Sequence, residues 1–227
     1  MNNGLLWVFK AIGLILTLGV SMSACSKDWK EEVLLHDGSK IIVDRSQSHG
    51  GRYEIGQEPP IKESTLTFTM PGTNQRVTWK DEYSEDVDGA SFNLLRLDIV
   101  KDTAYLVASP TGCLAYNKWG RPNPPYVIFK YQGKEWQRIQ LQELPAECIT
   151  LNLIMNTFTY EEKYVRQGLM TSEMVKQQNA RYQQPVFQTI LREPLEKGWC
   201  PQPTGPDGKP IPWDSFKAPL PMKPLSK

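Results

Sequence analysis

The chain has 227 residues, with 26 Lys and Arg against 25 Asp and Glu and a formal net charge of +1 at pH 7. No basic block stands out, so the electrostatic footprint that nucleic acid requires is missing and no nucleic-acid partner is expected. A length of this order suits one domain with an appended tail.

Met1 to Ala24 contains no acidic residue, one basic residue at Lys10, and the apolar run AIGLILTLGV, followed by SMSA and Cys25. This is the layout of a secretory signal peptide (1–24), and the run is too short to span a bilayer as a permanent helix. SMSAC resembles the lipobox of bacterial lipoproteins, in which the cysteine is lipidated and becomes the mature N-terminus. Ser23, Ala24 and Cys25 fit that pattern, and Met22 stands where those proteins usually carry Leu. The alternative is an ordinary signal peptide cleaved near Ala24, with Cys25 free. In Gram-negative lipoproteins an Asp after the cysteine favours the inner membrane; Ser26 in that place implies the outer membrane, with the domain facing the periplasm. Acyl chains contributing about 0.8 kcal/mol per buried methylene anchor such a domain without a transmembrane helix. Loss of Lys10 with the signal leaves 25 charges of each sign, so the mature chain is neutral.

The segment 25–155 reads as a β-rich domain. EEVLLHDGSKIIVDRS (Glu31 to Ser46) predicts a hairpin turning at Asp37-Gly38, a dipeptide suited to the positive φ of a tight turn. Gly50-Gly51 and Pro59-Pro60 mark a loop, after which TLTFTM and QRVTWK flank the turn Pro71 to Asn74 as a second hairpin with one apolar face. KDEYSEDVDG (Lys80 to Gly89) is acidic. Its Asp81, Glu82, Glu85, Asp86 and Asp88 could offer oxygens to Ca²⁺, but the alternation of an EF-hand loop is absent and a solvated loop is expected.

NLLRLDIV, TAYLVAS, CLAY, YVIFKY and EWQRIQL, from Asn93 to Leu141, read as consecutive strands of an antiparallel meander. In the first, Leu95, Leu97 and Ile99 would share the inner face and Arg96 and Asp98 the wet one. YVIFKY is apolar on both faces, which predicts a central strand with a second layer over it. The connection NKWGRPNPPY is stiff and carries an aromatic and a cation. Asn117, Trp119, Arg121 and Tyr126 are therefore the candidate binding loop, the alternative being that Trp119 folds back as a lid on the core. YVIFKYQGKEWQRIQLQELP resembles a β-propeller blade over about twenty residues, but no repeat of blade length exists, so one sheet or a small sandwich is expected.

ITLNLI (Ile149 to Ile154) predicts a last strand. Helical signals fill 156–199: a helix capped at Thr157 or Thr159 and running to Gln167, another from Ser172 to Tyr182, and a third opening at Pro185 and stopped by Pro194. These are expected to pack on the sheet. The segment 200–227 holds eight of the eighteen prolines and reads as an extended tail, pinned by Trp213 and Phe216. The fold class expected is thus mainly β (α+β), an antiparallel meander or small sandwich with a C-terminal helical segment.

Cys113, Cys148 and Cys200 cannot all pair within one chain. A disulfide between Cys148 and Cys200 is preferred, since both lie in Pro-flanked loops, with Cys113 as a buried small hydrophobe or a reactive thiol. The chain has two histidines, His36 and His49, no zinc-type His or Cys pair, no nucleophile elbow and no phosphate-cradling loop, so no metal or cofactor is expected.

HDGSKIIVDRS, GCLAYNKWGRPNPPY and VIFKYQGKEWQRI resemble segments of proteobacterial lipoproteins, a resemblance that implies a location and no mechanism. Two function classes follow. The first is a lipid-anchored envelope protein, non-catalytic, that binds or supports an envelope protein or glycan, with an immunity or inhibitor protein as a sub-case. The second is a periplasmic hydrolase using carboxylates such as Glu82 or Asp88. The missing catalytic constellation favours the first.

Overall fold

The computed structural model describes residues 26–51, 53, 55–56, 59–155, 168–201, 204–210 and 212. Cys25, the helix expected from Thr157 to Gln167, Trp213 and Phe216 lie outside the described residues. The protein is mainly β, built from two sheets. The first has the order β4-β3-β2-β1-β9, from Arg76–Glu82 (β4), Ile61–Thr69 (β3), Lys40–His49 (β2), Ser26–Leu34 (β1) and Leu169–Met170 (β9), with β9 parallel to β1. The second is the meander Phe92–Val100 (β5), Thr103–Pro110 (β6), Val127–Gln132 (β7) and Glu135–Ile139 (β8).

Both expected hairpins are present. At the first turn Gly38 has φ +84° and donates to the Leu35 carbonyl, while Asp37 Oδ1 accepts from the Ser39 amide at 2.9 Å. The inner faces of the two sheets pack together through Val33, Val43, Leu66, Val77, Leu97 and Leu106. An aromatic group of Trp79, Phe92, Trp119 and Phe129 closes this core, with Phe92 and Trp119 centroids 4.6 Å apart. β7 is an inner strand covered on both faces, as its pattern predicts: Val127 and Phe129 enter the inter-sheet core and Tyr126 and Ile128 the second one. The second core lies under a third layer of irregular chain, which contributes Leu144, Cys148, Met155, Val186 and Ile190.

Three local expectations are corrected. CLAY is not a strand: Cys113–Lys118 forms a short helix, α1, whose bonds include Tyr116 N–H to Gly112 O at 2.8 Å. A four-residue apolar run carries no period that separates the two states. β5 is not half-exposed. A bulge between Leu94 and Arg96 sends Leu95 to the third layer, and Arg96 and Asp98 are buried beneath that layer. ITLNLI does not form a strand either. The amides of Asn152 and Leu153 both donate to the bulged Leu95 carbonyl, and the Asn152 side chain then pairs with both backbone groups of Leu97 in place of strand backbone.

In the C-terminal part, Thr171 caps the helix α2 (Ser172–Asn179) by accepting from the Met174 amide at 3.3 Å. The turn at Pro185 is a 3₁₀ segment, Pro185–Phe187, rather than a longer helix. Among the described residues no helix is long and apolar enough to cross a membrane.

Candidate functional site

The disulfide joins Cys113 to Cys200, with Cα atoms 5.5 Å apart, and Cys148 is free and buried. This replaces the expected Cys148–Cys200 pair. The helical turn at α1 brings Cys113 out to meet the chain after Trp199, while Cys148 packs into the third-layer core. Burial pushes the Cys148 thiol up to about 11, so it stays protonated and unreactive.

The Trp-Arg-Pro connection is occupied from within. Trp119 is 8% exposed in the aromatic core, beneath the Arg138 guanidinium. Arg121 stacks over the Tyr116 ring and donates to the carbonyls of Cys200 and Pro201 and to Asn117 Oδ1. Tyr126 is buried. Its hydroxyl lies 2.9 Å from Val186 O and 3.1 Å from Thr189 O, and accepts from the Leu191 amide at 3.3 Å. Burial raises this phenol to about 12. Asn123 adds a reciprocal pair with the backbone of Leu195. The connection is therefore the clamp that holds the C-terminal layer on the sheet.

The acidic loop likewise does not converge. Asp81 turns inward and accepts from the Phe92 amide at 2.9 Å, Asp86 pairs with the buried Lys118 at 3.2 Å, and Asp88 accepts from the Tyr83 hydroxyl at 2.7 Å. Glu82 pairs with Lys80 on the outer face. Among the described residues no group of three or more His, Cys, Asp or Glu side chains could hold a metal ion.

A groove of about 430 Å³ opens between the end of β1, the segment 150–152 and α2. Apolar surface comes from Leu34, which is 43% exposed, with Leu151, Ala180 and Phe187. Polar groups come from Thr150, Asn152, Ser172, Lys176 and Asn179. Long-range hydrogen bonds fix most of them. Asn152 Nδ2 donates to Leu34 O at 2.9 Å, tying the first sheet to the second. The Ser172 amide and hydroxyl both donate to Glu32 Oε1, which also accepts from Lys40. These partners hold the Glu32 carboxyl down at about 2, so it is a permanent anion and a poor base. Asn179 Nδ2 donates to Leu153 O at 2.8 Å, while its Oδ1 is a buried acceptor with no partner among the described residues.

Behind the groove wall, Asp98 is shared by His36 Nδ1 at 2.9 Å and by Arg96, which also donates to Thr150. Burial works to raise the Asp98 carboxyl, but the His36 ring and the Arg96 guanidinium outweigh it and hold it below the usual range. Among the described residues no side chain here pairs a nucleophile with a base: the Ser172 hydroxyl is bound to an anion and the nearest thiol is buried and protonated. The site has the composition of a binding groove, an apolar floor with a few fixed polar groups.

Sequence reading missed this groove because three distant segments build it. One signal was present in VLL: Leu34 and Leu35 are adjacent apolar residues on an alternating strand, so one of them had to face out. The chain matches no family model, no curated protein and no solved structure.

Proposed function

We propose that this protein is a lipoprotein of the Gram-negative outer membrane that stands on the periplasmic face and holds a segment of another envelope protein in the groove beside α2. The observation that carries the reading is the groove itself, where Leu34 is left solvent-exposed at the end of a strand and lines the same apolar floor as Phe187. Amide and hydroxyl groups around an apolar floor suit a peptide, whose backbone needs donors and acceptors and whose side chains need apolar contact. The anchor rests on the signal-like segment Met1 to Ala24 and the lipobox-like SMSAC. β1 rises from Ser26 to Leu34, so a groove at its far end stands about 30 Å from the anchored end at roughly 3.3 Å per residue. A hydrolase reading through Glu82 or Asp88 has less support, since those carboxylates are engaged by Lys80 and Tyr83.

The test places a photo-activated crosslinking residue at Lys176 in the full chain in cells. The expected result is one discrete protein adduct that disappears when Leu34→Asp is added. Adducts that survive Leu34→Asp, or none at all, contradict the reading. Chemical-shift changes at the groove with cell-wall fragments, in place of a protein adduct, would assign it to a glycan.

A further inference from the structure

A lipid anchor constrains this fold unusually tightly, because β1 begins at Ser26, the residue immediately after Cys25. Ser26 pairs with Ser48 across the hairpin, and their neighbourhood is fixed further by a 3.0 Å contact between the hydroxyls of Ser26 and Ser46. No linker separates the acylated position from the sheet. Whatever lies at this end of the first sheet is held at the bilayer surface.

The feature beside it is the connection from β2 to β3, which leaves the sheet at His49, one residue beyond the partner of Ser26, and re-enters at Ile61. Its stem is braced. The Gly50 amide donates to Pro60 O at 3.0 Å, and Gly51, at φ +114°, lies so close to the Tyr83 ring that a Cβ would sit 2.6 Å from it. Beyond this stem, Tyr53 is 56% exposed and Ile55 is fully exposed. A fully exposed isoleucine on a braced loop, joined by an amphipathic tyrosine, has the chemistry of an interfacial membrane contact, in which the ring sits at headgroup level and the alkyl chain enters the acyl boundary.

We propose that the β2–β3 loop inserts Tyr53 and Ile55 into the bilayer interface beside the acylated Cys25, so that the lipid and the loop together fix the orientation of the domain. This rests on the lipoprotein reading. Its occupant is a lipid surface, because strand pairing puts the stem of the loop at the same end of the first sheet as Ser26, with Ser48 opposite Ser26 and His49 one residue beyond.

The experiment uses the full lipidated chain reconstituted into vesicles of phosphatidylethanolamine and phosphatidylglycerol. Ile55→Cys and, at the opposite end of the first sheet, Asn74→Cys are labelled with an environment-sensitive dye and challenged with lipids carrying a shallow nitroxide quencher. The proposal expects loss of most of the fluorescence at position 55 and none at 74. If the chain floats with the vesicles but position 55 is quenched no more than 74, the loop contact is overturned while the anchor stands. If Cys25 carries no acyl group and the chain does not float, both fall.

Discussion

Glu31 and Arg45 form an ion pair 3.0 Å long with both side chains fully buried. They sit on the inner face of the first sheet near the middle of β1 and β2, where Trp29 Nε1 donates to Glu31 Oε1 at 2.7 Å and the Ile154 amide to Oε2 at 3.0 Å. Burial pushes the Glu31 carboxyl up, and Arg45 and the two N–H donors pull against that shift. Removing one member of such a pair leaves a buried charge, so Glu31→Ala lowers the unfolding free energy by about 3–5 kcal/mol in urea titration. The double variant Glu31→Met with Arg45→Leu recovers a large part of that loss. A double variant as unstable as the sum of the two single variants would show that the pair carries no coupling.

The Cys113–Cys200 bond closes a sequence separation of 87 residues. Chain-entropy reasoning gives such a loop about 4–5 kcal/mol of stabilisation. Cys113→Ser is expected to lose most of this and to expose the clamp, since Arg121 holds the same stretch through the Cys200 and Pro201 carbonyls. Limited proteolysis checks the second point: early cleavage after Lys197 in Cys113→Ser, and protection in the parent.

Asn152 stands in for a strand along β5, with its amide bonded to both backbone groups of Leu97 and to Leu34 O. Asn152→Ala leaves these buried groups unpaired at a cost of about 3 kcal/mol. Asn152→Asp is expected to be worse, because it removes the donor from two carbonyls. Equal stability of Asn152→Asp and the parent would contradict the assigned orientation of the amide.

Burial raises the Asp81 carboxyl to about 7, opposed by the amides of Phe92, Ser91 and Glu82 and by the charge of Lys118. Its ordinary value is 3.8. Between these values the folded state binds more protons than the unfolded chain, so stability falls as pH rises. The contribution is fully present below about pH 4 and is lost as pH approaches 7. Asp81→Asn, which keeps an acceptor for the Phe92 amide, flattens this slope in thermal melts between pH 4 and 7. An unchanged slope would place the titration elsewhere.

Legibility in the sequence followed the reach of each interaction. The hairpins were readable because Asp37-Gly38 and the Thr65–Met70 alternation carry turn chemistry and period within a few residues. β7 was readable because apolar residues fall on both of its faces. The helix α1 was not, since four apolar residues fit either state. The disulfide and the groove were not, because Cys113 meets Cys200, and Leu34 and Phe187 come to line one groove, only once the third layer has folded back over β5–β8. The Trp-Arg-Pro connection has the composition of a binding loop. That composition serves internal ends: Trp119 fills the core, and Arg121 and Tyr126 hold backbone carbonyls that no local pattern could reveal.

The proposed anchor at Cys25 decides which end of the fold would meet the membrane and which end would offer the groove. Mass spectrometry of the N-terminal peptide from purified envelopes tests it directly. The expected result is a mature chain starting at Cys25 and carrying a diacylglyceryl thioether with an N-acyl group, lost in Cys25→Ser. An unmodified Cys25, or a mature chain starting elsewhere, would contradict it.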